Sequence, residues 1–180
     1  MIRTRVGYAG GVKENPTYHN LGDHTETLQI DFDPSKISYE RLLEVFWEEH
    51  DPTSRSWSQQ YKAVVFYHDD EQKRLADESR NRLAATKGKT IHTEVLPYGR
   101  FYAAEEYHQK YYLRGRRQIL KQFQQHYPQP VDLMNSTAAA RVNGYLGGYG
   151  TSAALAADID RLGLSEPARE ELLERAGNKE

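Results

Sequence analysis

From Thr25 onward, apolar and polar positions alternate strictly. Leu28, Ile30 and Phe32 fall on one side and Thr27, Gln29 and Asp31 on the other, which predicts a half-buried strand ended by Asp33-Pro34. Ser38 then stands before Tyr39, Leu42, Leu43, Phe46 and Trp47, whose spacing of three and four residues predicts an amphipathic helix stopped at His50-Asp51-Pro52. Residues 53–60 (TSRSWSQQ) are a polar loop carrying one tryptophan. The run from Tyr61 to Tyr67 is more evenly apolar and predicts an interior strand. Asp69 and Asp70 open a long polar helix that ends near Lys87-Gly88, and Thr90 to Leu96 predicts a third strand cut off by Pro97.

Before the first strand, Gly7 to Asp23 is rich in Gly and Asn and contains Pro16, and it is expected to be loop. After the third strand, helices are expected over Ala104–Leu113 and Arg116–Tyr127. Pro128-Gln129-Pro130 suggests a boundary. Beyond it lie an Ala-rich helix after Ser136, a turn at Asn143-Gly144, a glycine-rich stretch to Gly150, and two small helices separated by Gly163-Leu164-Ser165. The expectation is an α+β domain over residues 1–127, followed by a helical C-terminal extension over 128–180.

A formal net charge of −2 over 180 residues gives no electrostatic footprint for nucleic acid or an anionic membrane. Mean hydropathy is −0.85 and no apolar run nears membrane-spanning length, so a water-soluble chain is expected. There is no cysteine, so none of the 180 residues can form a disulfide, a thiolate metal site or a thiol nucleophile.

Candidate chemistry starts at Glu26. In the strand register it shares the face of Leu28, Ile30 and Phe32, where an apolar setting would raise a carboxyl's pKa and make it a proton donor near neutral pH. The alternative is that Glu26 stands at a frayed strand start and reaches solvent. Of the 13 tyrosines, Tyr18 lies in the loop before this strand and Tyr61 opens the second one. Phenols so placed can donate hydrogen bonds to a substrate oxygen. His19, Asp23, His24 and Glu26 lie close together without a recognisable metal-ligand spacing. Gly144 to Gly150 lacks the Lys-Ser/Thr ending of a phosphate loop and follows no strand.

Several segments, in order, resemble the methionine sulfoxide reductase A family. They are Arg5-Val6-Gly7-Tyr8-Ala9-Gly10-Gly11, Asn15-Pro16-Thr17-Tyr18, Gly22-Asp23-His24-Thr25-Glu26, Phe46-Trp47-Glu48-Glu49-His50-Asp51-Pro52, Gln60-Tyr61, and Phe101 through Tyr111. The resemblance covers roughly residues 3 to 113 and implies a two-layer α/β sandwich around a mixed sheet. It implies reduction of methionine-S-sulfoxide, in proteins or free, as a protein-repair activity in oxidative stress. In the family a cysteine of a Gly-Cys-Phe-Trp-Gly motif attacks the sulfoxide sulfur. Carried over by motif, Glu26 protonates the oxygen, Tyr18 and Tyr61 bind it, and His108 and Tyr111 match a substrate-binding segment. The resemblance further implies a cytoplasmic monomer without cofactor or metal. Its partners would be oxidised proteins or free methionine sulfoxide and an external thiol reductant (thioredoxin, glutaredoxin or a small thiol), with no nucleic acid and no membrane.

Three departures stand out. The Gly-Cys-Phe-Trp-Gly motif is absent, Ser56-Trp57-Ser58-Gln59 replaces a loop in which the family often has an aspartate, and the tail has no resolving cysteine. The missing motif belongs to a strand and helix of roughly 30 residues that precede Arg5 in relatives. A late start is therefore expected, through a GTG codon read as Met1 or a selenocysteine codon read as a stop. The alternative is a non-catalytic module that binds methionine sulfoxide, or a protein-interaction module that docks a partner through residues 128–180.

Overall fold

A computed structural model of the chain describes residues 1–177. The order of elements is β1 (Arg3–Ala9), β2 (Thr25–Asp31), α1 (Tyr39–Glu48), β3 (Val64–Tyr67), α2 (Asp70–Lys87), β4 (Glu94–Pro97), β5 (Phe101–Ala103), α3 (Tyr111–Arg114), α4 (Arg117–His126), α5 (Pro130–Asn135), α6 (Thr137–Gly147), α7 (Ser152–Asp158) and α8 (Glu166–Gly177). Single 3₁₀ turns occupy Glu106–His108 and Ile159–Arg161. The chain is mixed α/β with a helical C-terminal region. It divides into two compact units, one formed by Met1 with Val6–Ala104 and the other by Ile2–Arg5 with Glu105 onward.

The first unit holds β2 to β5 and Val6–Ala9 of β1. Its three-stranded sheet has the order β2-β1-β5, with β1 and β5 antiparallel, Gly7 opposite Ala103 and Ala9 opposite Phe101. Gly7 is required there, because a Cβ would run into the Tyr102 carbonyl and the Phe101 ring. β3 and β4 form a separate parallel pair, Val64 opposite Glu94 through Tyr67 opposite Pro97. Ser38 caps α1 by accepting the Arg41 N–H at 3.2 Å, and Asp69 caps α2 through the Gln72 N–H at 2.8 Å. Gly88, left-handed at φ 60°, terminates α2. Trp47 of α1 donates its indole N–H to Ser79 of α2 at 3.0 Å.

The second unit is helical. Leu113, Ile119, Phe123, Leu133, Val142, Leu155 and Leu172 are buried in one continuous core drawn from α3 to α8. Lys110, left-handed at φ 55°, is almost fully buried here. Its Nζ donates to the Thr4 carbonyl at 2.6 Å and the Met134 carbonyl at 2.9 Å. Burial and the neighbouring Arg5 guanidinium depress its pKa to about 8.

Several local expectations change. Gly7 to Ala9, expected to be loop, closes a strand that begins at Arg3, since Gly7 permits the close approach of β5, itself not foreseen. The helix expected over Ala104–Leu113 is a 3₁₀ turn and the short α3, broken at the left-handed Lys110. Asn143-Gly144 makes no turn. The Asn143 Oδ1 accepts the Leu113 N–H at 3.2 Å, and α6 continues to Gly147 before Gly148 ends it at φ 90°. Pro130, read as part of a boundary, begins α5, where its missing N–H costs nothing.

Candidate active site

Two loops frame the start of β2. In the first, residues 10–24 fold around His24, which is fully buried. Its Nδ1 accepts the Gly11 N–H at 3.2 Å and its Nε2 lies 2.8 Å from the Lys13 carbonyl, so the neutral imidazole carries its proton on Nε2 and donates it to that carbonyl. Asp23 accepts the N–H groups of Val12 (2.9 Å) and Lys13 (3.2 Å), and these bonds hold its carboxyl below the usual carboxylate range. The loop thereby seats Tyr18 half-buried against the small core of Tyr8, Leu21 and Ala104.

The second loop, residues 51–62, is pinned to β2 by four hydrogen bonds. The Thr25 hydroxyl serves the carbonyls of Gln60 (2.9 Å) and Lys62 (3.0 Å), the Glu26 N–H donates to the Gln60 carbonyl at 2.9 Å, and Gln60 Nε2 donates to Glu26 Oε1 at 2.7 Å. A further bond joins the two loops, from Gln59 Nε2 to the Asp23 carbonyl at 3.1 Å. Asp51 organises the loop's entrance by accepting from Ser54 and Thr53, and these bonds lower its pKa to about 2.

This lacing sets Tyr61 beside Tyr18. The two phenols share a hydrogen bond, and that bond with Tyr18 is the largest cause of a raised Tyr61 pKa, with Glu26 adding a repulsive contribution in the same direction. Tyr18, Tyr61 and Glu26, far apart in sequence, are thus brought together. Of the two placements open to Glu26, the structure takes the solvent-facing one. Its side chain is exposed, and Leu28 on the same strand face is 55% exposed. No element among the described residues covers this face at Glu26 and Leu28, and the burial falls instead on Thr25, beneath the second loop.

Trp57, the one tryptophan of the polar loop, stands at the Tyr18–Tyr61 pair. It is 84% exposed, with its ring 5.2 Å from that of Tyr61 at an angle of 49°. The only sequence signal was a large aromatic alone in a polar run. Ser56, in the loop where the family often has an aspartate, turns onto its own chain and donates to the Ser58 carbonyl at 2.7 Å. His108 and Tyr111 lie in the second unit: His108 ends the 3₁₀ turn with its ring 4.2 Å from that of Tyr107, and Tyr111 opens α3, 71% exposed. Among the described residues no group of three or more His, Asp or Glu is arranged to hold a metal ion.

Two family models account for almost all of the chain. "Peptide methionine sulfoxide reductase" matches residues 1–137, and "Selenoprotein methionine sulfoxide reductase A, helical domain" matches residues 131–174. The chain belongs to the methionine sulfoxide reductase A family. Members of this family are peptide-methionine (S)-S-oxide reductases, a class of oxidoreductase that draws its electrons from thiols. The peptide methionine sulfoxide reductase of Drosophila melanogaster is 38% identical over 172 residues, which are 94% of this chain and 69% of the fly protein. Peptide methionine sulfoxide reductase A5 of rice is 41% identical, covering 81% of this chain and 59% of its own. The enzyme of Methanothermobacter thermautotrophicus is 47% identical, over 62% of this chain and 72% of its own. The chain therefore spans between about three fifths and three quarters of these relatives. Among solved structures, reduced Mxr1 of Saccharomyces cerevisiae superposes with a TM-score of 0.58 at 30% identity, covering 64% of this chain and 71% of that one. Methionine sulfoxide reductase A of Corynebacterium diphtheriae gives 0.54 at 30% identity, with 63% of each chain covered.

Proposed function

We propose that this methionine sulfoxide reductase A chain supplies the oxygen-binding and proton-donating half of a methionine-S-sulfoxide reductase site. The observation that carries the reading is the hydrogen bond between Tyr18 and Tyr61 with Glu26 beside it. In this reading the two phenols turn their hydroxyls to the sulfoxide oxygen, and Glu26 delivers the proton that oxygen needs as its bond to sulfur breaks. Gln60 holds the Glu26 carboxyl through a 2.7 Å bond and so orients it.

The reaction also needs a nucleophile, and none of the 180 residues is a cysteine. We assign that role to a Cys or selenocysteine in a Gly-(Cys/Sec)-Phe-Trp segment outside these residues. The match of residues 131–174 to a helical domain described for a selenoprotein supports selenium, and the exposed Leu28 face of β2 supports a further element packing there. The thiolate or selenolate attacks the sulfoxide sulfur; as the protonated oxygen shifts onto the nucleophile, the substrate's sulfur–oxygen bond and the new bond between substrate and nucleophile both break, and methionine leaves with its sulfur reduced by two electrons. The oxygen stays with the enzyme as a sulfenic or selenenic acid. Two external thiols then regenerate the nucleophile, forming a disulfide and water. A thioredoxin-like protein in a reducing, cytoplasmic compartment fits that role, with oxidised proteins or free methionine sulfoxide as substrates. No helix among the described residues is long and apolar enough to cross a membrane.

Reduction of dabsyl-methionine sulfoxide with dithiothreitol tests the reading, using the 180-residue chain and a form extended upstream. Activity only in the extended form supports it. Activity in the 180-residue chain contradicts the thiol mechanism, and an inactive extended form that still binds the sulfoxide identifies a binding module instead.

A further inference from the structure

We propose that the second unit carries a binding groove for a small phosphate-bearing anion, formed by the start of α4 and one face of α8 and independent of the sulfoxide site. The groove has a volume of about 410 Å³, and its lining includes Arg116, Arg117 and Gln118 on one side and Pro167, Glu171 and Arg175 on the other. The last three are spaced by four along α8 and so share one face. Three guanidinium groups therefore converge on one concavity with a single carboxylate among them.

Apart from the exposed Arg161, the other arginines of α3 to α8 are paired. Arg114, Arg141 and Arg169 each close a salt bridge, to Glu106 at 3.0 Å, Asp158 at 2.6 Å and Asp160 at 2.6 Å. Among the described residues, Arg116, Arg117 and Arg175 close none. Moreover the Arg116 Nε is buried without a hydrogen-bond acceptor. Buried donors in folded proteins are almost always paired, so this guanidinium leaves one of its N–H groups unspent within the chain while the residue lines the groove. Three positive charges facing one negative charge match a dianion, and guanidinium forks fit phosphate oxygens in pairs.

The lining also narrows the ligand. It holds no aromatic side chain on which a nucleobase could stack, so recognition would rest on the phosphoryl group. Pro167 is the one apolar residue in it, whereas a protein-docking surface is expected to have an apolar centre. The chemistry is therefore that of a free phosphate or of the phosphoryl end of a small metabolite.

Isothermal titration calorimetry of the protein with inorganic phosphate, pyrophosphate and glycerol phosphate tests the proposal and separates these sources. We expect saturable binding that weakens with added salt, and Arg116→Gln and Arg175→Gln should each raise the pyrophosphate Kd about tenfold. Glu171→Gln should tighten it several-fold, because it removes the one repulsive charge. Arg82→Gln, an exposed position on α2, should leave it unchanged. If Arg116→Gln fails to fold by circular dichroism, Arg175→Gln and Glu171→Gln carry the test. Absence of saturable binding, a Kd insensitive to the groove variants, or tighter binding of a polyglutamate peptide than of pyrophosphate would each overturn the proposal.

Discussion

Tyr61 is hydrogen-bonded to Tyr18 through their hydroxyls, and this bond raises the Tyr61 pKa. Two loops that begin and end in different parts of the chain converge on this one contact. A phenol that keeps its proton to higher pH remains a donor over the whole physiological range, which is what binding a sulfoxide oxygen requires. Replacing Tyr18 by Phe should move the Tyr61 ionisation downward, measurable by ¹³C NMR of ring-labelled tyrosine. In the thiol-competent extended protein, either Tyr→Phe change should lower kcat by about 10²-fold. An unmoved Tyr61 titration would remove the contact from the site.

His24 holds the Tyr18 loop by filling both ring nitrogens, with Gly11 and Lys13 as partners. His24→Ala leaves a part-buried N–H and a part-buried carbonyl without partners. The expected loss is about 3 kcal/mol in urea denaturation, near the sum of two unsatisfied backbone groups. A loss below about 0.5 kcal/mol, the range of an ordinary surface change, would show that the loop stands without it.

Lys110 gives the second unit a defined pH response. Its folded pKa, about 8, lies below the ordinary lysine value of 10.5, so between these values the unfolded chain binds a proton that the folded chain does not. Stability contributed by this group therefore rises as the pH increases from 8 to about 10.5. Lys110→Met should abolish that rise. Chemical denaturation of both proteins at pH 7.5 and 10 reads the difference directly.

Trp57 supplies an exposed aromatic wall next to Tyr61. Trp57→Ala should raise KM for a sulfoxide-bearing peptide about 3- to 10-fold, with kcat and stability nearly unchanged, because the ring stands exposed beside Tyr61 rather than packed in the core. Equal KM values in wild type and variant would leave Trp57 without a role at the site.

What could be read from the sequence was local. The caps Ser38, Asp69, Gly88 and Ser136 and the stripes they bound announce their helices through backbone geometry and nearest neighbours alone. What escaped depends on remote partners. β1 becomes a strand because Gly7 admits Tyr102, α6 passes Asn143-Gly144 because Leu113 occupies the Asn143 side chain, and the expected 104–113 helix breaks because Lys110 turns left-handed to reach Thr4 and Met134. At the site, the residue types of Glu26, Tyr18 and Tyr61 pointed to proton donation and oxygen binding. The exposure of Glu26 did not follow from alternation, because a strand's register fixes which face a side chain takes and not whether anything covers that face.

The most direct test of the account is steady-state reduction of resolved S and R epimers of methionine sulfoxide by the extended protein, with and without Glu26→Gln. The account predicts turnover of the S epimer alone. It also predicts a fall in kcat of about 10² or more for Glu26→Gln with KM little changed, the signature of a lost proton donor. Consumption of the R epimer, or a Glu26→Gln enzyme as fast as wild type, would contradict it.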